Sequence, residues 1–273
     1  MLTSTALAAG PDFCVTAVDC RDDHTRWAPA EVREDYRVVL VRRGRFRRQT
    51  AGIPVDVDLT MAYLGVPGEE ERFAHPVGGG DACTSISLTP ALWRVVAGED
   101  ARPARRSVYV DARLDLAHRR VLASARTGDV DHAVTEELLG LLSATIGRTA
   151  DGAVPADGRP GRDETVLVAA ARHAIGVAHP ASEGLLPLAE LLGASPYRLS
   201  RSFTRELGVP LTRYRNRVRV GRALDRLDAG EDDLAGLAAD LGFCDQAHLC
   251  RTMRQYLGHT PTALRRLLGP PSS

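Results

Sequence analysis

The sequence predicts an α+β chain: a β-rich front domain closed by two amphipathic helices, a linker, and an all-α rear domain in which one helical motif occurs twice. Three observations carry this. Before about Thr89 short β-branched runs alternate with glycine turns, after Pro90 apolar residues recur at three and four spacing, and the stretch starting at Leu188 is echoed from Leu237. A chain of 273 residues is long enough for two domains that each bury a core.

In the front part, Tyr36 to Val41 is a β-branched run, Val55, Val57 and Leu59 alternate with acidic residues, and Ser85 to Leu88 is another short strand. Gly44, Gly52, Gly65, Gly68 and Gly78 to Gly80 punctuate them, which predicts a small barrel or sandwich. Arg113 to Arg126 and Asp131 to Arg148 then read as successive helices, with Leu114, Val121, Leu122, Val134, Leu138, Leu141, Leu142 and Ile146 on their apolar faces. Such helices pack back on the barrel or meet a second subunit. TADGAVPADGRPG, from Thr149, has the composition of a flexible linker. The domains are therefore expected at 1–148 and 163–273, with the linker at 149–162.

The rear domain opens with a support helix running from Asp163 toward His173. LAELLGASPYRLSRSFTRELG, starting at Leu188, and LAADLGFCDQAHLCRTMRQYLG, starting at Leu237, then repeat one pattern: a short helix, a Gly-containing turn (Gly193, Gly242) and a second helix. Ser195-Pro196 and Cys244-Asp245 supply N-caps at equivalent places. Leu199, Phe203 and Leu207 form a buried stripe in the first copy, as do Leu249, Met253 and Leu257 in the second. Tyr197, Arg198, Ser200, Arg201, Thr204 and Arg205 are left outward in one, and Gln246, Ala247, His248, Cys250, Arg251 and Arg254 in the other. A helix-turn-helix of this kind places its second helix in the DNA major groove, where Arg and Gln pair with base edges. A lone pattern fits a plain helical bundle with solvated arginines about as well. Recurrence of turn, cap and outward arginine together favours DNA.

Between the copies, Leu211 to Leu227 reads as one helix with Leu211, Tyr214, Val218, Leu224 and Leu227 on a stripe. It would be about 25 Å long and would set the spacing of the two recognition helices. Arg213, Arg215, Arg217, Arg219 and Arg222 decorate it, mostly as a solvated face.

On these residues Leu188 to Arg265 resembles the DNA-binding domain of AraC/XylS-family transcription regulators, and Gly242 to Arg265 is similar to that family's signature. The chain departs from it at Cys244, Ala247 and Cys250, where small hydroxyl residues are usual, and at Leu249 and Met253, where Phe is usual. The resemblance implies that Tyr197, Ser200 and Arg201, and then Gln246, Ala247, Cys250 and Arg251, face the bases. It also implies a cupin-like, effector-sensing front barrel, a homodimer, and activation in concert with RNA polymerase. The paired histidines of a metal-dependent cupin are missing before the first glycine turn. The expected partners are double-stranded DNA and a small-molecule or metal effector. The alternative is a cupin-like metal-dependent enzyme, or a DNA-alkyl-transfer repair protein, fused to a DNA-binding module. No nucleophile with a general base in register supports the enzyme, and the repair proteins' close cysteine cluster is absent.

The formal charge is zero, with every basic residue of the Lys and Arg count an arginine, but the charge is uneven. From Ser195 to Arg266 there are 13 arginines against 8 acidic residues, the local excess that phosphate contact needs. Five cysteines without tight pairing predict no disulfide framework. MLTSTALAAG has neither the basic residues nor the apolar run of a signal peptide, and no membrane span is expected, which places the chain in the cytoplasm. One constellation points to a ligand: Cys20 and His24, with His75 and Cys83, could complete a tetrahedral zinc site if their segments become neighbouring strands. A thiol-reactive sensor and ordinary core cysteines are the other readings. Cys14 is expected in the core, and Trp27 and Trp93 either pack or line a pocket.

Overall fold

The computed structural model describes residues 1–21, 24–77, 80–98, 103, 105–150 and 162–269. The chain divides into two compact units between positions 152 and 153. The expected linker falls mostly on 151–161, outside the described residues.

The front unit carries strands β1 (Leu2–Ala9), β2 (Phe13–Cys20), β3 (Glu31–Val32), β4 (Tyr36–Arg43), β5 (Arg45–Thr50), β6 (Ile53–Asp58), β7 (Met61–Gly65), β8 (Glu70–Ala74) and β9 (Asp81–Leu88). Helix α1 (Pro90–Ala97), strand β10 (Ser107–Tyr109), α2 (Ala112–Thr127), a π-helical turn (Val130–Val134) and α3 (Thr135–Ala150) complete it. Two antiparallel sheets result, ordered β1-β2-β9-β4-β7-β10 and β3-β8-β5-β6. This is the β-rich front domain with two closing helices that the sequence predicts. One detail differs: after Pro90 the chain is not wholly helical, because β10 returns to cover the open edge of β7, with Ser107 opposite Tyr63.

Strand β4 explains its own apolar run. Val38 and Leu40 turn into a core shared with Trp93, Leu114, Val121, Leu138 and Leu142 of the helical layer. Val39 and Val41, on the opposite face, are buried as well. A strand covered on both sides loses the polar alternation of a half-exposed one. Between the sheets lies an ionic cluster: Glu71 of β8 accepts from Arg37 Nη2 of β4 and Arg48 Nε of β5, each at 2.9 Å. Arg48 also lies 4.3 Å from the ring centroid of Tyr63.

Trp93 is packed rather than pocket-lining, stacked on Tyr36 with centroids 4.4 Å apart. Trp27 lies under the Arg47 guanidinium at 4.8 Å. Cys14 is half-buried, not a core residue, with its Sγ 3.5 Å from Thr16 Oγ1. Asp111 caps α2 by accepting from Leu114 N at 2.9 Å and binds Arg148 of α3 at 2.7 Å, tying the start of one helix to the end of the other.

The rear unit is all helix: α4 (Arg162–Gly176), α5 (Leu185–Leu191), α6 (Pro196–Leu207), α7 (Leu211–Asp228), α8 (Leu234–Asp240), α9 (Gln246–Leu257) and α10 (Pro261–Leu268). The expected long connector is α7, 18 residues and about 27 Å long. It contacts α4, α6, α9 and α10, so it is buried on more than one side. This corrects the solvated-face reading of its arginines. Arg217 and Arg219 are 3% and 7% exposed. Arg219 pairs with Glu183, Arg215 donates to the Glu183 carbonyl, and Arg222 donates to the carbonyls of Ile175 and Gly176 at 3.1 and 2.9 Å. Arg213 is exposed.

Candidate nucleic-acid interface

The two copies of the motif fold alike down to single hydrogen bonds. After α5, Gly193 N donates to Glu190 O and Ala194 N to Ala189 O; after α8, Gly242 N donates to Ala239 O and Phe243 N to Ala238 O. The turn needs a left-handed residue, and both glycines supply it, at φ 61° and 72°. Ser195 Oγ then accepts from Arg198 N at 3.2 Å, and Asp245 Oδ1 from His248 N at 2.6 Å, so each second helix begins on a side-chain cap. Such caps contribute about 1 kcal/mol each.

Burial divides each second helix largely as its sequence predicts, except that Leu207, expected in the buried stripe of α6, is only half-buried near the helix's end. In α6, Leu199 and Phe203 are sealed, with Phe203 edge-on to Tyr214 of α7 at 5.0 Å, and Ser202 joins them. In α9, Leu249, Met253 and Leu257 are buried with Thr252. Outward stand Tyr197, Arg198, Arg201 and Thr204 in α6 and Gln246, Ala247, Arg251 and Arg254 in α9, all exposed, with Ser200 and Cys250 half-buried beside them. Arg201 Nη1 donates to the Tyr197 hydroxyl at 3.1 Å, one turn earlier on the same face.

Two of the expected outward residues, Arg205 and His248, are held by partners outside their own helices. Arg205 is paired with Glu164 of α4. His248 folds back on its own turn, accepting from Cys244 N at 3.3 Å and lying edge-on to Phe243 at 5.4 Å. No pattern within either helix announces these contacts, because Glu164 and Phe243 lie outside α6 and α9.

The front unit brings some of the expected metal-ligating residues together. Cys20, at the end of β2, pairs in register with Asp81 of β9. With His75, which follows β8, they form a group whose ligand atoms lie within 4.8 Å of one another. Cys83, two residues along β9, donates its thiol to Asp81 Oδ2 at 3.0 Å, and burial followed by the nearby Asp81 charge pushes its pKa up. His24 is exposed; its Nδ1 lies 3.0 Å from Arg26 O and its ring sits edge-on to His75 at 5.8 Å. The sequence reading missed Asp81, whose proximity to Cys20 is a matter of strand register.

Against known proteins, a family described as a helix-turn-helix domain matches residues 188–267. No curated protein matches the chain in sequence. Among solved structures, an apo ToxT from Vibrio cholerae is 10% identical, covering 96% of this chain and 99% of that one with a TM-score of 0.43. The C-terminal domain of AraT, a response regulator from Geobacillus stearothermophilus, is 28% identical over 37% of this chain and 84% of its own, with a TM-score of 0.35. The cupin domain of Cnp3 from Schizosaccharomyces pombe is 12% identical over 37% and 70%, with a TM-score of 0.30. Among the described residues no helix is long and apolar enough to cross a membrane. The duplicated capped helices and the family match coincide: residues 188–267 are a helix-turn-helix domain of the AraC type.

Proposed function

We propose that this chain is a sequence-specific, effector-controlled transcription activator of the cytoplasm, binding DNA as a homodimer and acting through RNA polymerase. The observation that carries the DNA part is the equivalence of Arg201 and Arg251. Both are exposed, each lies six residues beyond its helix cap (Ser195, Asp245), and a guanidinium there can pair with the O6 and N7 of guanine. Tyr197 and Ser200 in α6, and Gln246, Ala247 and Cys250 in α9, complete the base-facing surfaces. Arg198, Thr204 and Arg254 flank them toward phosphate. Helix α7 holds the two surfaces apart, so each occupies its own segment of major groove.

Control falls to the front domain, residues 1–148, through a linker at 149–162, with 163–273 as the reading head. Helices α2 and α3 are the surface by which two copies meet. An effector acts by preferring one of two arrangements of the dimer, and its influence equals the difference of its affinities for them.

The test is selection of bound fragments from random DNA by the full-length protein, with and without cell extract. The expected result is an enriched site with two conserved tracts about one helical turn apart, and a shift in enrichment when extract is present. Absence of any enriched sequence overturns the proposal.

A further inference from the structure

The end of the front domain where β2, β8 and β9 converge holds three side chains with an unusual relation. Cys20, His75 and Asp81 are 6%, 8% and 6% exposed, so each is more than nine-tenths buried. They come from three separate elements, and their ligand atoms share a space less than 4.8 Å across. His75 Nε2 lies 3.0 Å from Asp81 Oδ1, an ion-pair distance, yet Oδ1 accepts no hydrogen bond and His75 Nδ1 makes none. Buried polar atoms left this way are costly, and a native core rarely tolerates them. Atoms that approach closely without aiming at one another are what a ligand set looks like when its lone pairs converge on a common point.

Cys83 donates to Asp81 Oδ2, which orients the carboxylate and leaves Oδ1 turned to His75. Metal-ligating carboxylates are held by such outer hydrogen bonds. The backbone is drawn in close as well: a Cβ on Gly80 would stand 3.2 Å from Cys20 O, and one on Gly44 would overlap Gly80 O.

We propose that Cys20, His75 and Asp81 bind a divalent transition-metal ion of the zinc class, through one thiolate, one imidazole and one carboxylate. A thiolate and a carboxylate together carry the two negative charges that neutralise such an ion in a buried site. The mixed sulfur, nitrogen and oxygen set suits zinc or cobalt and disfavours magnesium and calcium, which take oxygen ligands. Three protein ligands leave the fourth tetrahedral position to water or an exchangeable ligand. The three residues belong to the front unit, and the site's existence does not depend on DNA binding.

The test uses the full-length chain, stripped with a chelator and titrated with Co²⁺. Saturation at one ion per chain is expected, with thiolate-to-cobalt charge-transfer absorption and the visible bands of a tetrahedral centre, both displaced by Zn²⁺. Cys20→Ser should abolish the charge-transfer band, whereas Cys83→Ser and Cys244→Ser should keep it. Should Cys20→Ser fail to fold, Asp81→Asn, which preserves shape, decides: Co²⁺ affinity should fall at least about tenfold. A wild-type chain with no charge-transfer band, a band that persists in folded Cys20→Ser, or an unchanged affinity in Asp81→Asn overturns the proposal.

Discussion

The guanidinium of Arg219 occupies the place a side chain on residue 242 would need: a Cβ built on Gly242 would stand 2.8 Å from Arg219 Nη2. Arg219 is buried and paired with Glu183, so moving its far end aside disturbs that pair. Gly193, the same position of the first copy, has the same left-handed backbone and open space around it. Gly193→Ala is therefore expected to cost only the conformational penalty, roughly 1 kcal/mol. Gly242→Ala should cost visibly more, about 2 to 3 kcal/mol with the displaced guanidinium included. Urea unfolding of the two variants compares them directly, and equal midpoints would refute the steric account.

Glu71 holds two arginines between the sheets. With Arg37, Arg48 and Glu71 all nearly inaccessible, removing the carboxylate leaves two buried cations facing one another. Glu71→Gln is expected to destabilise the front domain by about 3 to 5 kcal/mol, the cost of an uncompensated buried charge. Replacing all three residues with apolar ones of similar volume should recover much of that loss. Chemical denaturation of the single and triple variants tests both statements.

His118 is expected to make the front domain sensitive to acid. Its ring is buried with Nε2 2.8 Å from Thr84 Oγ1, and burial lowers its pKa to about 4 against the nearby pull of Asp115 and with the help of Arg119 and Arg42. The unfolded chain protonates this ring near 6.5, so between 6.5 and 4 the unfolded state binds more protons and stability is lost as the pH drops. The contribution is whole above about 6.5, and by about pH 5 some 2 kcal/mol of it should be gone. The difference in unfolding free energy between neutral and mildly acid buffer should shrink by about that amount in His118→Gln. A variant as acid-sensitive as the parent would place the effect elsewhere.

What could be read from the chain alone was local. The caps at Ser195 and Asp245, the left-handed Gly193 and Gly242 and the outward face of α6 follow from neighbours within a few residues, and the duplication confirms each reading by the other copy. Pairings between distant segments were not legible. A periodicity count treats Arg217 and Arg219 as surface, yet α7 is buried on more than one side and Arg219 meets Glu183 far upstream. Asp81 is one of many acidic residues until the register of β2 against β9 sets it opposite Cys20. The π-helical turn at Val130–Val134 and the three-residue β10 are too short to leave a period.

Arg201, Arg205 and Arg251 separate reading from holding. Arg201 and Arg251 project from α6 and α9 at equivalent places, while Arg205, one turn beyond Arg201, is half-buried against Glu164 of α4. Arg201→Ala and Arg251→Ala should each weaken binding to the preferred site by about 1 to 3 kcal/mol and relax the preference at one base position. On the proposed binding mode, with each helix in its own segment of groove, the two losses should add. Arg205→Ala should instead lower stability by up to about 1 kcal/mol, the scale of a partly exposed ion pair, with base preference intact. Binding measured against a panel of single-base variants of the site distinguishes the cases. If Arg205→Ala alters a base preference while Arg201→Ala leaves every one unchanged, α6 meets DNA with a different face.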